Sequence, residues 1–181
     1  MRITISGPPG SGKTTVCRQL AEKLSLNYIV AGSIFRKMAS ERGVSLEDFG
    51  KIASEDSSID RMLDEEILKI ARENDHIILE GRLTGYLMHK NGIDAFKIYL
   101  DADFEERARR ASKRDGIDLA EARASIAERE RCELKRYEQY YGFSFEDRNF
   151  YDFVIDTTSL SPDEVVSRIL RAMEEKGCRK Y

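Results

Sequence analysis

The sequence predicts an α/β fold in three layers, with a five-stranded parallel sheet between layers of helices. The chain has 181 residues, which suits one domain spanning 1–181. Short apolar runs alternate with helical patterns, as in parallel sheets that carry helices on both faces. No repeat and no Gly/Ser/Pro-rich linker interrupts this alternation. The predicted strands are Ile3 to Ile5, Tyr28 to Val30, Ile77 to Leu79, Ala95 to Leu100 and Phe153 to Ile155.

A glycine-rich segment follows the first strand and opens the first helix. The pattern G-x-x-x-x-G-K-[ST] is matched by Gly7, Pro8, Pro9, Gly10, Ser11, Gly12, Lys13 and Thr14. Its glycines let backbone N–H groups surround a phosphate, and Lys13 can bridge the β- and γ-phosphates of a nucleoside triphosphate. The Thr14 hydroxyl can ligate Mg²⁺. An ordinary glycine-rich turn is the alternative, but motif, position and flanking elements together favour a phosphate-binding loop.

This loop makes the predicted fold that of a P-loop NTPase, an α/β/α sandwich. Contacts with the phosphates of a nucleoside triphosphate are assigned to Gly7 through Thr15. The loop alone does not identify a second substrate, because GTPases, ATPases and small-molecule kinases all share it.

Two helical segments lie outside the simple alternation of strands and helices. Residues 33–74 are predicted to be helical, with start signals at Ser45 and at Ser57 or Ser58 and an amphipathic stripe over 59–70. Residues 115–141 are predicted to form a densely charged helix capped at Asp118. Both are interpreted as insertions within one domain, and the second is expected to be the more mobile.

The helices after the last two strands have clear N-terminal signals. Asp103, with Glu106 three residues on, predicts a helix through about Lys113. In the final helix, Ser161 is the expected N-cap, Pro162 suits the first position and Glu164 completes a capping box. The apolar stripe of that helix should pack on the sheet.

The net charge and the cysteine content indicate which class of ligand the protein binds and in which cellular compartment it is expected. The net charge is only −3, so no overall field attracts nucleic acid or an anionic membrane, and phosphate recognition must be local. No apolar run approaches the roughly 18 residues of a membrane span, and the N-terminus enters a strand without a leader. Neither a disulfide framework nor a zinc site is indicated by Cys17, Cys132 and Cys178. A soluble cytoplasmic protein with small-molecule ligands is expected.

Three arginine-bearing segments provide candidates for a second phosphate site. Gly32 and Arg36 follow the second strand, and Glu80-Gly81-Arg82 ends the third, at the sheet edge where ligands bind. Downstream, arginines recur at spacings of three and four, which would present several of them to one polyphosphate. A solvated charged helix explains the same pattern equally well. These downstream arginines are Arg107, Arg110 and Arg114.

Other chemistry-bearing residues are interpreted as structural. His76 precedes a strand and His89 ends a predicted turn region, and neither has a nucleophile nearby in sequence. An aromatic group after the charged helix could stack a base, but packing of the helix is favoured. This group comprises Tyr137, Tyr140, Tyr141 and Phe143.

Taken together, these motifs resemble the nucleoside monophosphate kinases, specifically the short archaeal-type (type 2) cytidylate kinases, over nearly the whole chain. The resemblance rests on Gly7 to Thr15, Gly32-x-x-x-Arg36, Glu80-Gly81-Arg82, Leu100 to Arg110 and Val154 to Asp156. In addition, Arg129-Glu130-x-x-Glu133-x-x-Arg136 is similar to the family pattern R-D-x-x-D-x-x-R, with glutamates in place of both aspartates.

The resemblance implies transfer of the γ-phosphoryl group of ATP to CMP and dCMP, with Mg²⁺. It implies that Arg36 and Arg82, with Gly32 and Gly81, grip the acceptor phosphate. The ribose and cytosine edge would be approached by Arg129, Glu133 and Arg136. Lys13, Arg110 and Arg114 would be catalytic, Thr14 would bind the metal, and Glu80 would hold a metal-bound water. Residues 33–74 would form the NMP-binding insertion and 115–141 the lid.

The sequence also departs from the family pattern. Bacterial members have an Asp-Ser pair and an Asp where this chain has Val30-Ala31 and Leu83, and archaeal-type members tend to have Asp at Ser33. Selectivity among CMP, dCMP and UMP is therefore left open, as are other phosphate donors and the oligomeric state, for which a monomer is expected. The alternatives are another small P-loop kinase, such as an adenylate kinase, and a nucleotide switch, although no N-K-x-D base motif is present.

Overall fold

The computed structural model describes residues 1–142, 144 and 147–177, and it contains the predicted five-stranded sheet. All the neighbouring strands pair in parallel, in the order β2-β3-β1-β4-β5. Every predicted strand is confirmed, with ends that differ by at most one residue. The strands are β1 (Arg2–Ser6), β2 (Asn27–Val30), β3 (Ile77–Glu80), β4 (Phe96–Asp101) and β5 (Phe153–Asp156). Phe143 and Cys178, named above, lie outside the described residues.

Helices cover both faces of this sheet, as the alternation predicts. They are α1 (Lys13–Leu24), α2 (Ala31–Glu41), α3 (Leu46–Glu55), α4 (Ser57–Glu73), α5 (Thr84–Lys90), α6 (Phe104–Asp115), α7 (Leu119–Tyr141) and α8 (Pro162–Glu175). On one face, α1 and α8 pack on Ile3, Ile5 and Ile98. On the other face, α4 and α5 pack on Ile77 and Leu79. Because successive strand residues point to opposite faces, Ile78 joins the first cluster.

Local capping chemistry fixes several helix starts where the sequence places them. The Ser161 and Glu164 side chains form a reciprocal capping box, with Pro162 in the first turn of α8. Ser45 accepts a hydrogen bond from the backbone N–H of Asp48, and Asp118 accepts one from that of Glu121. Each of these bonds satisfies an N–H group that has no partner within its own helix.

Three local expectations are corrected. The region ending at His89 is the helix α5, not a turn, because buried Leu87 and Met88 pack on the sheet. The N-cap of α4 is Asp56, not Ser57 or Ser58, since the Asp56 carboxylate accepts from the Ser58 N–H. At α6 the helix begins after Asp103, but the Asp103 side chain does not cap it, and Glu106 pairs with arginines on its own helix.

The two helical segments outside the sheet have small apolar cores of their own. Met38, Phe49 and Ile59 join α2, α3 and α4 in one cluster. Ala108, Ala122 and Ile126 join α6 to α7 in another. Small alanines let these two helices approach closely, so α6 and α7 form a hairpin. Among the described residues, none of the helices has the length and apolar character needed to cross a membrane.

Cys17 and the C-terminal part of α7 take structural positions. Cys17 is buried in α1, where burial raises the pKa of its thiol to about 12. Tyr140 donates from its hydroxyl to the Ser54 carbonyl, and Tyr141 donates to the Asp64 carboxylate. The packing interpretation of these tyrosines is therefore supported, because they attach α7 to α3 and α4.

Candidate active site

The carboxyl ends of the parallel strands open into one cavity of about 2280 Å³. This is the edge at which ligands bind in open α/β sheets. The predicted site residues that line it are Pro9, Gly10, Ser11, Gly12, Lys13, Thr14, Thr15, Gly32, Arg36, Glu80, Gly81, Arg82, Arg110, Arg114, Arg129, Glu133 and Arg136. Segments that are far apart in sequence thus line the same cavity. Gly7 and Pro8, at the start of the loop, are not among its lining residues.

The loop after β1 needs glycine at two close approaches. Gly7 has φ +147°, and a Cβ atom there would lie 2.1 Å from the Leu100 carbonyl oxygen. Gly10 has φ +79°, and a Cβ atom there would lie 2.6 Å from the Arg107 carbonyl oxygen. Side chains at these positions would collide with the backbone of β4 and α6. The loop can therefore turn tightly enough to present N–H groups at the start of α1.

Lys13, the first residue of α1, is half-buried at the base of the cavity. Its Nζ atom donates to the Pro8 carbonyl oxygen at 2.8 Å. Burial, and next the positive charge of Arg82, lower the pKa of Lys13 to about 7. An anionic ligand at this position would favour the charged form again, so this lysine is suited to binding phosphate.

Thr14 and Glu80 meet where α1 starts and β3 ends. The Thr14 hydroxyl donates to Glu80 Oε2 at 3.0 Å, and Glu80 is buried. Hydroxyl and carboxylate oxygens are the ligands that Mg²⁺ prefers, usually one or two from protein with the rest from water and phosphate. Within the described part of the chain, no cluster of three or more His, Cys, Asp or Glu side chains could hold a metal ion unaided. The Thr14–Glu80 pair therefore fits a magnesium ion that arrives with a phosphate ligand.

Arg82 connects the loop to helix α7. Its Nη1 atom donates to the Gly7 carbonyl oxygen at 2.9 Å, and its Nη2 atom lies 2.5 Å from Glu133 Oε2. The other carboxylate oxygen of Glu133 accepts from Arg129 Nε at 2.9 Å. Burial alone would raise the pKa of Glu133, but Arg82 and Arg129 outweigh it and hold that pKa below its usual range. Two arginines thus share one buried carboxylate beside the loop.

Arg136 pairs with an acid that sequence reasoning did not select. Its Nε atom lies 2.7 Å from Asp60 Oδ2 on α4, and both side chains are buried. Burial raises the pKa of Asp60 to about 6, although Arg136 opposes the rise. The available signal was an aspartate within the amphipathic stripe of α4, on the face that carries Ile67 and Ala71. A carboxylate on the buried face of a helix needs a cationic or hydrogen-bonding partner, so Asp60 could have been recognised as a candidate site residue.

The three downstream arginines have different surroundings. Arg107 is buried and donates to the Pro9 and Ala102 carbonyl oxygens and to Glu130, so it braces the loop and does not line the cavity. Arg110 donates to the backbone and hydroxyl oxygens of Thr157. Both Arg110 and Arg114 line the cavity, and Arg114 pairs with its neighbour Asp115.

The remaining predicted residues lie at the rim or away from the cavity. Arg36 is exposed on α2, where its Nη2 atom donates to the Ser33 hydroxyl at 3.0 Å. His89 is exposed and stacks on Phe150 with ring centroids 5.0 Å apart, and His76 is exposed before β3. Neither histidine lines the cavity, which agrees with their structural interpretation.

Sequence comparisons converge on one family. The model of the cytidylate kinase-like family matches residues 2–159. A cytidylate kinase of Methanopyrus kandleri is 48% identical over 179 residues, covering 95% of this chain and 92% of the relative. A cytidylate kinase of Halobacterium salinarum is 42% identical over 174 residues, covering 96% of this chain and 90% of the relative.

Solved structures with the same fold include other kinases. A protein of uncharacterised function from Eubacterium ventriosum has a TM-score of 0.71 at 18% identity, covering 96% of this chain and 98% of that one. Shikimate kinase from Aquifex aeolicus has a TM-score of 0.60 at 19% identity, covering 98% and 99%. At these identities the likeness concerns the fold alone, and it agrees with the predicted P-loop α/β/α sandwich. With the family match spanning most of the sequence and relatives above 40% identity, this chain belongs to the cytidylate kinase-like family.

Proposed function

We propose that this protein is a cytidylate kinase, which transfers the γ-phosphoryl group of ATP to CMP or dCMP and gives ADP with CDP or dCDP. The observation that carries the proposal is the position of Arg82. It donates to Gly7 in the donor-phosphate loop and pairs with Glu133, which also binds Arg129. An acceptor phosphate bound by Arg82 would therefore lie beside the donor phosphate.

Phosphoryl transfer needs little covalent chemistry from the protein. The acceptor phosphate oxygen attacks the γ-phosphorus in line, and the enzyme supplies positioning and charge neutralisation. Backbone N–H groups between Gly10 and Thr15 and the ammonium of Lys13 bind the donor phosphates. Arg110 lies beside the loop near Gly12, and Arg114 lines the same cavity, so both would supply positive charge that neutralises the transferring group.

The acceptor contacts are divided between two segments. Arg36 and Arg82, with the small residues Gly32 and Gly81, bind the acceptor phosphate. Arg129, Glu133 and Arg136 face its nucleoside. Glu133 already pairs with both Arg82 and Arg129. An acceptor that binds these arginines must therefore displace the Glu133 carboxylate. We further propose that 33–74 form the NMP-binding insertion and 115–141 a lid that closes to exclude water.

The cofactor is Mg²⁺, which enters with ATP and neutralises charge on its phosphates. Thr14 would ligate it directly, and Glu80 would hold a water of its hydration shell. The hydrogen bond between these two side chains supports this assignment. We propose a cytoplasmic monomer, since both phosphate sites are built from residues of one chain.

A panel of acceptors tests this function. With ATP and Mg²⁺, coupled ADP detection should show the highest kcat/KM for CMP and dCMP among the nucleoside monophosphates. EDTA in excess of the metal should abolish turnover, and added Mg²⁺ should restore it. Greater turnover of AMP than of CMP would establish the adenylate kinase alternative. Absence of turnover with every monophosphate would contradict kinase activity and favour a nucleotide switch.

ATP binding is expected to take up close to one proton per site at about pH 8. In the free protein the pKa of Lys13 is lowered to about 7, so Lys13 is mostly neutral at that pH. Bound polyphosphate raises the pKa, and the amine then gains a proton. ATP affinity should consequently fall as the pH rises above 7. Calorimetric titrations in two buffers with different ionisation enthalpies measure the uptake.

The control for this measurement is Lys13→Met, which cannot gain the proton. At the same pH, the apparent enthalpy of ATP binding to this variant should differ little between the two buffers. Equal proton uptake by the variant and the wild type would show that another group is responsible.

A further inference from the structure

We propose that Asp60 selects cytosine, accepting a hydrogen bond from the exocyclic amino group while Arg136 donates to the ring acceptors beside it. This inference rests on the proposed function, because it concerns the base of the acceptor nucleotide. Asp60 lies on α4, outside every motif that predicted the site, and it lines the same cavity as the phosphate-binding loop.

Asp60 contacts α7 about one helical turn beyond the contact between Glu133 and Arg82. Glu133 meets Arg82 beside the loop, and three residues further along α7 Arg136 meets Asp60. Residues three apart lie on one face of a helix, so both contacts face the cavity. A monophosphate held at Arg82 would extend its nucleoside along this face toward Asp60.

Apolar side chains surround the cavity next to this pair. Leu63 and Leu87 line it from α4 and α5, and Tyr137 lines it from α7. A planar, weakly polar base fits among such side chains, whereas a second phosphate would be poorly solvated there. The end of the cavity near Asp60 therefore suits a base with one polar edge.

Asp60 and Arg136 also retain hydrogen-bonding capacity. Asp60 is 3% exposed and Arg136 is 8% exposed. Asp60 Oδ2 and Arg136 Nε pair with each other across 2.7 Å, but the N–H group is not aligned with the carboxylate oxygen. Buried polar groups are normally satisfied, so such a pair at a cavity wall points to a ligand that completes it.

The chemistry of the pair matches cytosine better than uracil. Cytosine presents an amino donor next to the ring acceptors N3 and O2, and a carboxylate accepts from that amino group. Uracil presents an oxygen acceptor where cytosine has the amino group, and an ionised carboxylate would repel it. Leu83 is buried and apolar at the place where bacterial members carry an acid, so it supplies no alternative acceptor.

The experiment compares CMP and UMP on wild type and Asp60→Asn. In the variant, the amide oxygen can remain toward Arg136, so the amide NH₂ turns toward the base. It then matches the uracil O4 and opposes the cytosine amino group. We expect the ratio of kcat/KM for CMP to that for UMP to fall roughly tenfold to a hundredfold. Because one preparation is assayed with both substrates, partial misfolding does not affect this ratio.

The matched control is Glu65→Gln, which makes the same change of charge at an exposed position on α4. Its CMP/UMP ratio should equal that of wild type. A wild-type enzyme that prefers CMP, together with an unchanged ratio in Asp60→Asn, would overturn the assignment of Asp60 alone. A wild-type enzyme that phosphorylates neither pyrimidine would overturn the proposed function and this inference with it.

Discussion

Replacing Lys13 by Met should lower kcat for CMP phosphorylation by roughly a hundredfold to a thousandfold or more, with the fold intact. The ammonium group is the cation placed at the start of α1, where charge develops on the transferring phosphoryl group. In the free protein, burial and Arg82 disfavour its charged form, as the lowered pKa shows. Removing it should therefore leave thermal stability near pH 7 unchanged or raised. Initial rates and thermal melts measure the two effects.

Lys23→Met is the control for this variant. Lys23 is exposed in the last turn of the same helix, so its loss changes the net charge equally without reaching the cavity. This control should retain wild-type kinetics. Activity of Lys13→Met within tenfold of wild type would contradict the role of Lys13, and cooperative melting of an inactive variant would exclude unfolding as the cause.

Replacing Arg82 by Met should lower kcat/KM for CMP by about a hundredfold or more, with little change in the KM for ATP. The variant loses the guanidinium that connects the donor loop to Glu133. It also leaves the buried Glu133 carboxylate with one arginine fewer. Breaking such a pair typically lowers the free energy of unfolding by about 3–5 kcal/mol. Steady-state kinetics with each substrate varied in turn separates the acceptor effect from the donor effect.

A double variant separates the effect of Arg82 on acceptor binding from its effect on protein stability. Arg82→Met/Glu133→Gln also removes the buried carboxylate, which only Arg129 would neutralise in the single variant, so it should regain much of the lost thermal stability. It should not regain CMP turnover, because the acceptor phosphate still lacks its guanidinium. Recovery of turnover together with stability would mean that Arg82 acts mainly through folding.

The parts of this molecule that follow local rules could be predicted from sequence. The strand positions follow short apolar runs, and the start of α8 follows a capping box that forms as expected. The loop at Gly7 to Thr14 is recognisable because tight turning, glycine freedom and the helix start occur within eight neighbouring residues. Arg129, Glu133 and Arg136 were selected by the resemblance to the family pattern, and all three line the cavity.

The remaining features depend on tertiary contacts between distant segments. Asp60 and Arg136 are 76 positions apart, and nothing in the sequence near either one identifies the other as its partner. Arg107 lies at helical spacing with Arg110 and Arg114, yet it is buried against the loop, whereas they line the cavity. Periodicity gives the face of a helix, but not what packs against that face. Helix α5 is short, so its formation depends more on packing against the sheet than on the hydrophobic pattern of its own sequence.

The close contact between Gly10 and Arg107 has a consequence for protein engineering. The Arg107 carbonyl lies where a side chain at position 10 would begin, and its guanidinium donates to Pro9. The Arg107 guanidinium also donates to the Ala102 carbonyl oxygen and to Glu130, which is on α7. The loop is therefore shaped by α6 as well as by its own glycines. A graft of residues 7–14 into another scaffold should include the first turns of α6, and library designs should keep glycine at position 10, because the obstructing group is a backbone carbonyl that no side chain at position 107 removes.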